Sequence, residues 1–425
     1  MKCLKIICWL LFVTNIRSTK FTYYGYKVLR LLPQEQSQLE KIYQLQEQLT
    51  DTVDFWTEPR FLNSTVDIMV TPNELKNIIN FLQKLKIPYV IMIDDVQKML
   101  DDDIVINDDS DHFDSRSMLE KLSWTKYHRF DEINQFLDEL ASAYPNIVGV
   151  ITIGKTYEGR SIKIIKIGNS QSKLKKPAVW IDAGIHAREW IAPATAMYII
   201  KKLVINYEEN FKLSDGVEWY ILPVVNPDGY EFSHSKQRMW RKTRSPSPDG
   251  CLGTDVNRNF GFHWNEGGSS SNGCSETFRG EKPFSEPETQ AIANFILDNK
   301  KTIKLYISFH SYGQMWLTPW GYTTDLPSDY NDLISLAEKA TAALSSVKGT
   351  KYTIGSSTNV LYVAAGGSDD WAKGEAGVKY AYTVELRDKG KFGFTLPTKQ
   401  ILPTVEETWE AIKVLGTEIS MLYQV

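Results

Sequence analysis

Residues 180–190 read WIDAGIHAREW, an apolar run that ends in a His-x-x-Glu pair. The first half has the character of a strand buried on both faces. His186 and Glu189 follow it on a turn or short helix. That spacing puts both side chains on one side, close enough to chelate. A lone pair of this kind is often two surface residues. A second buried strand, LYISFHS (305–311), ends in His310 and supplies a third ligand. Two imidazoles and one carboxylate are the donors of a zinc site that keeps one position open. Zinc in such a site polarises a carbonyl and lowers the pKa of water. Of the six histidines, only His186 and His310 end apolar strands. His128, His234 and His263 lie in polar-aromatic contexts and His112 in an acidic tract, so these four read as bland.

Hydrolysis at zinc needs a general base close by. YTVELRD (382–388) offers Glu385 at the end of an apolar strand. Burial beside zinc would tune its pKa; a strand-end ion pair with Arg387 is the competing reading.

Around these strands the chain from about residue 117 is α/β. IVGVITIG (147–154), SIKIIKIG (161–168), AVWIDAGI (178–185), EWYILPVVN (218–226), KLYISFHS (304–311) and YAYTVEL (380–386) read as strands. FDEINQFLDELASAY (130–144), EWIAPATAMYIIKKLV (189–204), SEPETQAIANFILDN (285–299) and PTVEETWEAIKVLGTEISMLY (403–423) read as helices. The alternation predicts a mixed, mainly parallel sheet with helices on both faces.

Upstream, YYGYKVLRLL, QLEKIYQLQEQL, DTVDFW, STVDIMV, TPNELKNIINFLQKLKI and PYVIMI give the order β-α-β-β-α-β, a small α+β ferredoxin-like module. Its second helix is expected to start with Thr71 as N-cap and Pro72 at the first position. Nine aspartates between Asp94 and Asp114 mark a solvated connector, helical at first, between the two regions. It ends at Arg116, a site for a trypsin-like protease.

The 425 residues carry a net charge of −4, unevenly spread: residues 20–116 hold −7 and residues 117–425 are neutral. No basic field exists for nucleic acid. MKCLKIICWLLFVTNIRS, with two lysines before a short apolar run, reads as a secretory signal, too short to span a bilayer. A buried N-terminal strand is the alternative. No other run reaches transmembrane length. Cys3 and Cys8 would leave with the signal, and the remaining pair, Cys251 and Cys274, suggests one disulfide in a secreted protein. Asn63 heads a weak glycosylation sequon, N-S-T.

IHAREW, NPDGY, MWRKTR, TDVNRNF, SFHSY, AAGGSDDW and ELRDKGKFGFTLP occur together in this order. On these motifs the chain resembles the secreted zinc metallocarboxypeptidases of the pancreatic A/B type, over its whole length. The resemblance implies a signal peptide (1–18), an activation propeptide with the acidic connector (19–116) and a catalytic domain (117–425) of the zinc carboxypeptidase fold. It implies His186, Glu189 and His310 as ligands of one Zn2+, Glu385 as general base, and Asp255 as the carboxylate that orients His186. On sequence alone Asp255 could equally be a turn residue. Arg241 matches the carbonyl-polarising arginine and Arg238 a neighbouring subsite; without the family this cluster reads as a solvated basic loop. Asn257 and Arg258 match the clamp for a free C-terminal carboxylate, with Tyr362 closing over substrate and Ser311 and Tyr312 also in the substrate cleft. A cis bond before Pro227 is a further family expectation.

GGSDDW (366–371) carries the specificity reading. The family position at Asp369 lies at the base of the pocket for the departing side chain, where an aspartate goes with preference for Lys or Arg. Asp370 matches an acid found in both subtypes and reads as structural. Ser357 and Gly321 match small pocket-lining residues. The expectation is thus a secreted, monomeric zymogen with B-like specificity, whose partners are peptide C-termini and an activating protease. An A-type or mixed specificity is the alternative. A zinc- or peptide-binding protein with a dead site is a weaker one, and the chain has no G-x-S-x-G motif for a serine hydrolase.

Overall fold

The computed structural model describes residues 20–106, 117–168 and 176–423. The signal segment 1–18, His112 and the cleavage position at Arg116 lie outside the described residues.

The N-terminal module is built from β1 (Lys27–Leu31), α1 (Gln36–Gln48), β2 (Val53–Phe55), β3 (Val66–Val70), α2 (Leu75–Lys84) and β4 (Tyr89–Ile93). Its sheet runs β2-β3-β1-β4, antiparallel throughout, as expected for a ferredoxin-like unit. Leu29, Leu31, Ile68 and Val70 on the sheet meet Ile42, Ile78 and Leu82 of the helices in a closed core of their own. The start of α2 differs from expectation. Residues 72–74 form an irregular turn and Glu74 precedes the helix; the Thr71 carbonyl, not its hydroxyl, receives the first N–H groups. The acidic connector begins as a helix, α3 (Val96–Ile106).

After the short α4 (Met118–Lys121) and α5 (Phe130–Ala143), an eight-stranded sheet dominates. Its strands are β5 (Val148–Lys155), β6 (Ser161–Ile167), β7 (Ala178–Ala183), β8 (Glu218–Leu222), β9 (Ile303–His310), β10 (Met315–Thr318), β11 (Thr353–Ser356) and β12 (Tyr380–Glu385), in the order β11-β10-β12-β9-β7-β8-β6-β5. The four central strands β12, β9, β7 and β8 are parallel; β10 against β12, and the β5, β6, β8 side, are antiparallel. One face is covered by α5, α6 (Ile191–Val204) and the long terminal helix Ile401–Tyr423, over residues such as Val179, Ile181, Ile307 and Tyr382. The other face packs Trp180, Tyr220, Tyr306 and Ala381 against the helices Pro287–Asn299 and Ser368–Gly374. Two covered faces explain why the central strands read as unbroken apolar runs rather than alternating ones.

NPDGY is the start of a helix, Pro227–Ser235, with the Asn226 side chain accepting from the Gly229 N–H and Pro227 at the first helical position. The bond before Pro227 is not among the cis peptides, which precede Tyr312, Trp320 and Asp388. Among the described residues no helix is long and apolar enough to cross a membrane.

Candidate metal centre and substrate cleft

Strands β7 and β9 lie side by side and parallel, with Ala183 opposite Phe309, so their C-terminal ends open at the same level. At Gly184 the chain turns with φ +67°, and a Cβ there would stand 3.1 Å from the Pro193 ring. A glycine therefore permits the sharp exit that places His186 and Glu189 over the end of β9, where His310 is the last residue. One ligand atom from each of the three lies within 4.8 Å of the others, and all three residues are buried. His186 Nδ1 is 2.7 Å from Glu189 Oε1, and His310 Nδ1 is 3.1 Å from both Glu189 Oε2 and His186 Nδ1.

Two imidazole nitrogens facing each other at that distance need a shared proton or a cation between them. The Nε2 atoms are already engaged, His186 with Asp255 Oδ1 at 3.1 Å and His310 with Ser308 Oγ at 3.0 Å. Both Nδ1 lone pairs thus converge with one carboxylate, a donor set that fits zinc. Burial alone would depress both imidazoles. Glu189 reverses this at His310, which is pushed up to about 9, whereas Arg241 adds to the fall at His186.

Glu385 ends β12 directly beside His310 in the parallel ladder. Burial pushes its carboxyl up to about 8, against the pull of His310. A cation bound next to it would favour the carboxylate. Arg241 reaches the same space: its Nη2 donates to Asp255 Oδ2 at 2.9 Å and its Nη1 is 3.9 Å from Glu189. Asp255 is fully buried and serves both His186 and Arg241, while also accepting the Asn257 N–H at the start of a tight turn. Burial would raise its pKa, but Arg241 and His186 hold it well below the usual range. Asp255 thus stands both at the turn and within hydrogen-bond distance of His186.

The side chain of Arg258 is buried beside this turn. Its Nε and Nη1 donate to the carbonyls of Gly268 and Asn257, and its Nη2 has no hydrogen-bond partner among the described residues. The guanidinium stands 5.8 Å from the Tyr362 ring centre. Gly366, at φ +77°, lets the GGSDDW segment pass so close that a Cβ would sit 2.5 Å from the Arg258 carbonyl oxygen. Asn257 Oδ1 accepts the Ser368 N–H at 2.9 Å, tying the turn to the helix that carries the two aspartates.

Those aspartates differ sharply. Asp370 accepts the backbone N–H groups of Gly321 and Tyr322 at 2.9–3.0 Å. Asp369 is 5% exposed, yet its Oδ2 has no hydrogen-bond partner among the described residues. The Thr383 hydroxyl is near enough to favour its charge but stands outside hydrogen-bond geometry. Burial raises both carboxyls, and their mutual repulsion adds to the rise at Asp370. Both oxygens of Asp370 are met by amide donors, whereas Asp369 Oδ2 faces none among the described residues. Gly321 lies close beside them: a Cβ there would press on the Ala364 carbonyl oxygen at 3.1 Å and meet Asp370 Oδ2 at 3.5 Å and the Ser357 Cβ at 3.7 Å.

Arg238 is committed elsewhere. It donates to the carbonyls of Arg188 and Phe394 and stacks on Trp190 at 3.6 Å, so it braces the cleft wall. Ser311 donates its N–H to Glu189 Oε2 at 3.2 Å, behind the ligand cluster. Cys251 and Cys274 are joined in a disulfide. His128 bonds the Ser123 carbonyl, His234 stacks on Trp190 and His263 on Tyr322, all apart from the cluster.

The N-terminal module covers the cleft. Asp54 bonds Arg188 Nη1 at 2.8 Å, and Asp67, paired with Arg30, accepts from the Tyr312 hydroxyl at 2.7 Å. Glu58 feels the charges of Arg258 and Arg241, and Arg60 donates to the Val360 carbonyl at 3.0 Å. Glu58, Arg60 and Tyr362 line one cleft of about 680 Å³. Sequence reasoning did not identify Arg188, Asp54, Glu58 or Asp67. Arg188 alone left a trace, as a cation between His186 and Glu189.

Residues 133–411 match the family model described as zinc carboxypeptidase, and residues 29–103 match that for the carboxypeptidase activation peptide. The chain is 51% identical over 304 residues to carboxypeptidase B of Astacus astacus, covering 71% of this chain and 100% of that protein. It is 39% identical to carboxypeptidase A2 of Rattus norvegicus, covering 93% and 94% respectively. The crystal structure of carboxypeptidase A from Helicoverpa armigera superposes with a TM-score of 0.85 at 32% identity, over 95% of this chain and 99% of that one.

Proposed function

The chain belongs to the zinc carboxypeptidase family, and on that premise we propose that its activated form releases lysine and arginine from peptide C-termini. It is a peptide hydrolase acting at free C-termini, made as a zymogen with an activation peptide, and it uses one zinc ion. Its relatives include both A and B types, so the basic preference rests on the pocket. The observation that carries it is Asp369, a buried carboxylate with one oxygen left without a partner. An incoming ammonium or guanidinium pairs with it; an apolar side chain would leave it stranded.

His186, Glu189 and His310 hold the metal in this reading. Bound zinc supplies Lewis acidity toward the scissile carbonyl and the attacking water. Glu385 accepts the proton that water loses on attack and passes it to the leaving amine nitrogen. Arg241, fixed by Asp255, faces the negative charge that develops on the carbonyl oxygen. Arg258 offers its unpartnered N–H to the terminal carboxylate, with Asn257 beside it and Tyr362 closing over the substrate. An internal peptide bond has no carboxylate to fill that clamp, so only the last residue is removed.

The prosegment blocks this cleft with its own acids. Asp54, Glu58 and Asp67 engage or face Arg188, Arg258, Arg241 and Tyr312. Cleavage near Arg116 by a trypsin-like protease separates residues 19–116 from a monomeric catalytic domain, 117–425. The 1–18 segment, read as a secretory signal, supports secretion, and the disulfide agrees with it. The test compares kcat/KM of the activated enzyme on matched peptides ending in Arg, Lys and Phe. Arg and Lys are favoured; preference for Phe rejects the pocket assignment.

A further inference from the structure

Behind His310 lies a buried polar chain that the catalytic reading does not use. Ser308 Oγ is 3.0 Å from His310 Nε2 and 2.6 Å from Asp182 Oδ1. Asp182 Oδ2 accepts from the Tyr306 hydroxyl at 2.6 Å and from Trp180 Nε1 at 2.8 Å. Asp182 and Ser308 are fully buried and His310 is 1% exposed. Both residues sit on the central parallel strands, where Asp182 faces Ser308 in register.

With Asp182 ionised, counting protons fixes the direction of these bonds. An ionised Asp182 accepts only, and three donors converge on its two oxygens. Ser308 has one hydroxyl proton, and Asp182 takes it. Ser308 can then meet His310 Nε2 only as an acceptor, so the imidazole proton must be on Nε2. In the neutral ring Nδ1 is then left with a lone pair, and Nδ1 is the atom beside Glu189 and His186.

We propose that Asp182, acting through Ser308, is a positioning residue that locks His310 in the tautomer whose Nδ1 can bind the metal. His186 receives the same service directly from Asp255; His310 receives it through one hydroxyl. The inference rests on the ligand role of His310 given above. Burial favours a protonated Asp182, and a protonated acid could reverse the chain, so the charge on Asp182 is what the relay depends on.

Asp182→Asn reproduces the neutral acid. Its amide oxygen turns to the two donors, Tyr306 and Trp180, and its NH2 faces Ser308. The Ser308 proton must then point at His310 Nε2, which drives the ring proton to Nδ1 and blocks the ligand position. The experiment uses the full chain, freed of zinc, with zinc titrated back against a competing chelator. ¹⁵N NMR of labelled histidine reads the tautomer in the zinc-free state at about pH 10, where the His310 ring is neutral. Asp182→Asn and Ser308→Ala should weaken zinc binding about 10- to 100-fold. Ser308→Thr, which keeps the hydroxyl, should stay within about threefold of the parent. His310 should be Nε2-protonated in the parent and Nδ1-protonated in Asp182→Asn. Unchanged zinc affinity and tautomer in a folded Asp182→Asn protein overturn the relay. Should that variant not fold, Ser308→Ala and Ser308→Thr decide: equal zinc affinity in the two overturns it. A parent chain that binds no zinc would overturn the ligand reading itself.

Discussion

Asp369→Asn removes one charge and almost no volume from the pocket. In the unliganded enzyme the change relieves a buried carboxylate whose Oδ2 has no partner. In the complex it leaves the substrate's cation buried without a counter-charge. Breaking a buried pair by removing one partner costs about 3–5 kcal/mol. That corresponds to a fall of about 10²- to 10⁴-fold in kcat/KM for peptides ending in Arg or Lys. A peptide ending in Phe should gain, because its side chain no longer has to bury against a bare carboxylate. Asp370 keeps its two amide donors, so the helix Ser368–Gly374 should hold its place. The assay is kcat/KM on matched peptides ending in Arg and Phe, with zinc content measured in parallel. A folded, zinc-loaded variant whose Arg:Phe ratio moves less than about threefold would refute the placement of Asp369 at the pocket floor.

Arg258→Lys keeps the charge but loses the fork that holds Gly268, Asn257 and a substrate carboxylate together. Steady-state kinetics should show kcat/KM lower by about 10- to 100-fold, the scale of one charged hydrogen bond. Asp54→Asn removes the prosegment charge that faces Arg188, which is 1% exposed. Uncleaved zymogen should then show more residual peptidase activity than the parent, with the activated enzymes equal. Glu288 is fully buried, both its oxygens lack hydrogen-bond partners among the described residues, and burial raises its carboxyl to about 8. Its neutral form is the one the fold favours, so stability falls as pH rises from about 4.5 towards 8. In denaturant unfolding Glu288→Gln should be more stable than the parent at pH 8, by up to about a few kcal/mol, and close to it at pH 4.5.

The large features were legible because they rest on periodicity or on end-of-strand chemistry. AVWIDAGI and KLYISFHS announced buried strands, and a histidine at or just past each end announced the site. The helix Tyr330–Lys348 was not anticipated, although Leu333, Leu336, Ala337, Ala340 and Leu344 form an apolar face at helical spacing. Strands β10 and β11, four residues each, are too short to show a period. The Asp182–Ser308 relay and the prosegment contacts were invisible for another reason. They join residues more than a hundred positions apart, and the local sequence gives no sign of such a partner. Asp369 lay between: the motif named its family position, but only the fold showed that Asp370 is satisfied by backbone amides and Asp369 is not.

Glu385→Gln, assayed on a peptide ending in Arg with zinc occupancy measured in the same sample, tests the catalytic account most directly. The amide keeps the shape of the side chain and cannot accept the proton. Zinc should remain bound and kcat should fall by at least about 10²-fold. A zinc-loaded Glu385→Gln enzyme with the parent's kcat would contradict the assignment of Glu385 as the base.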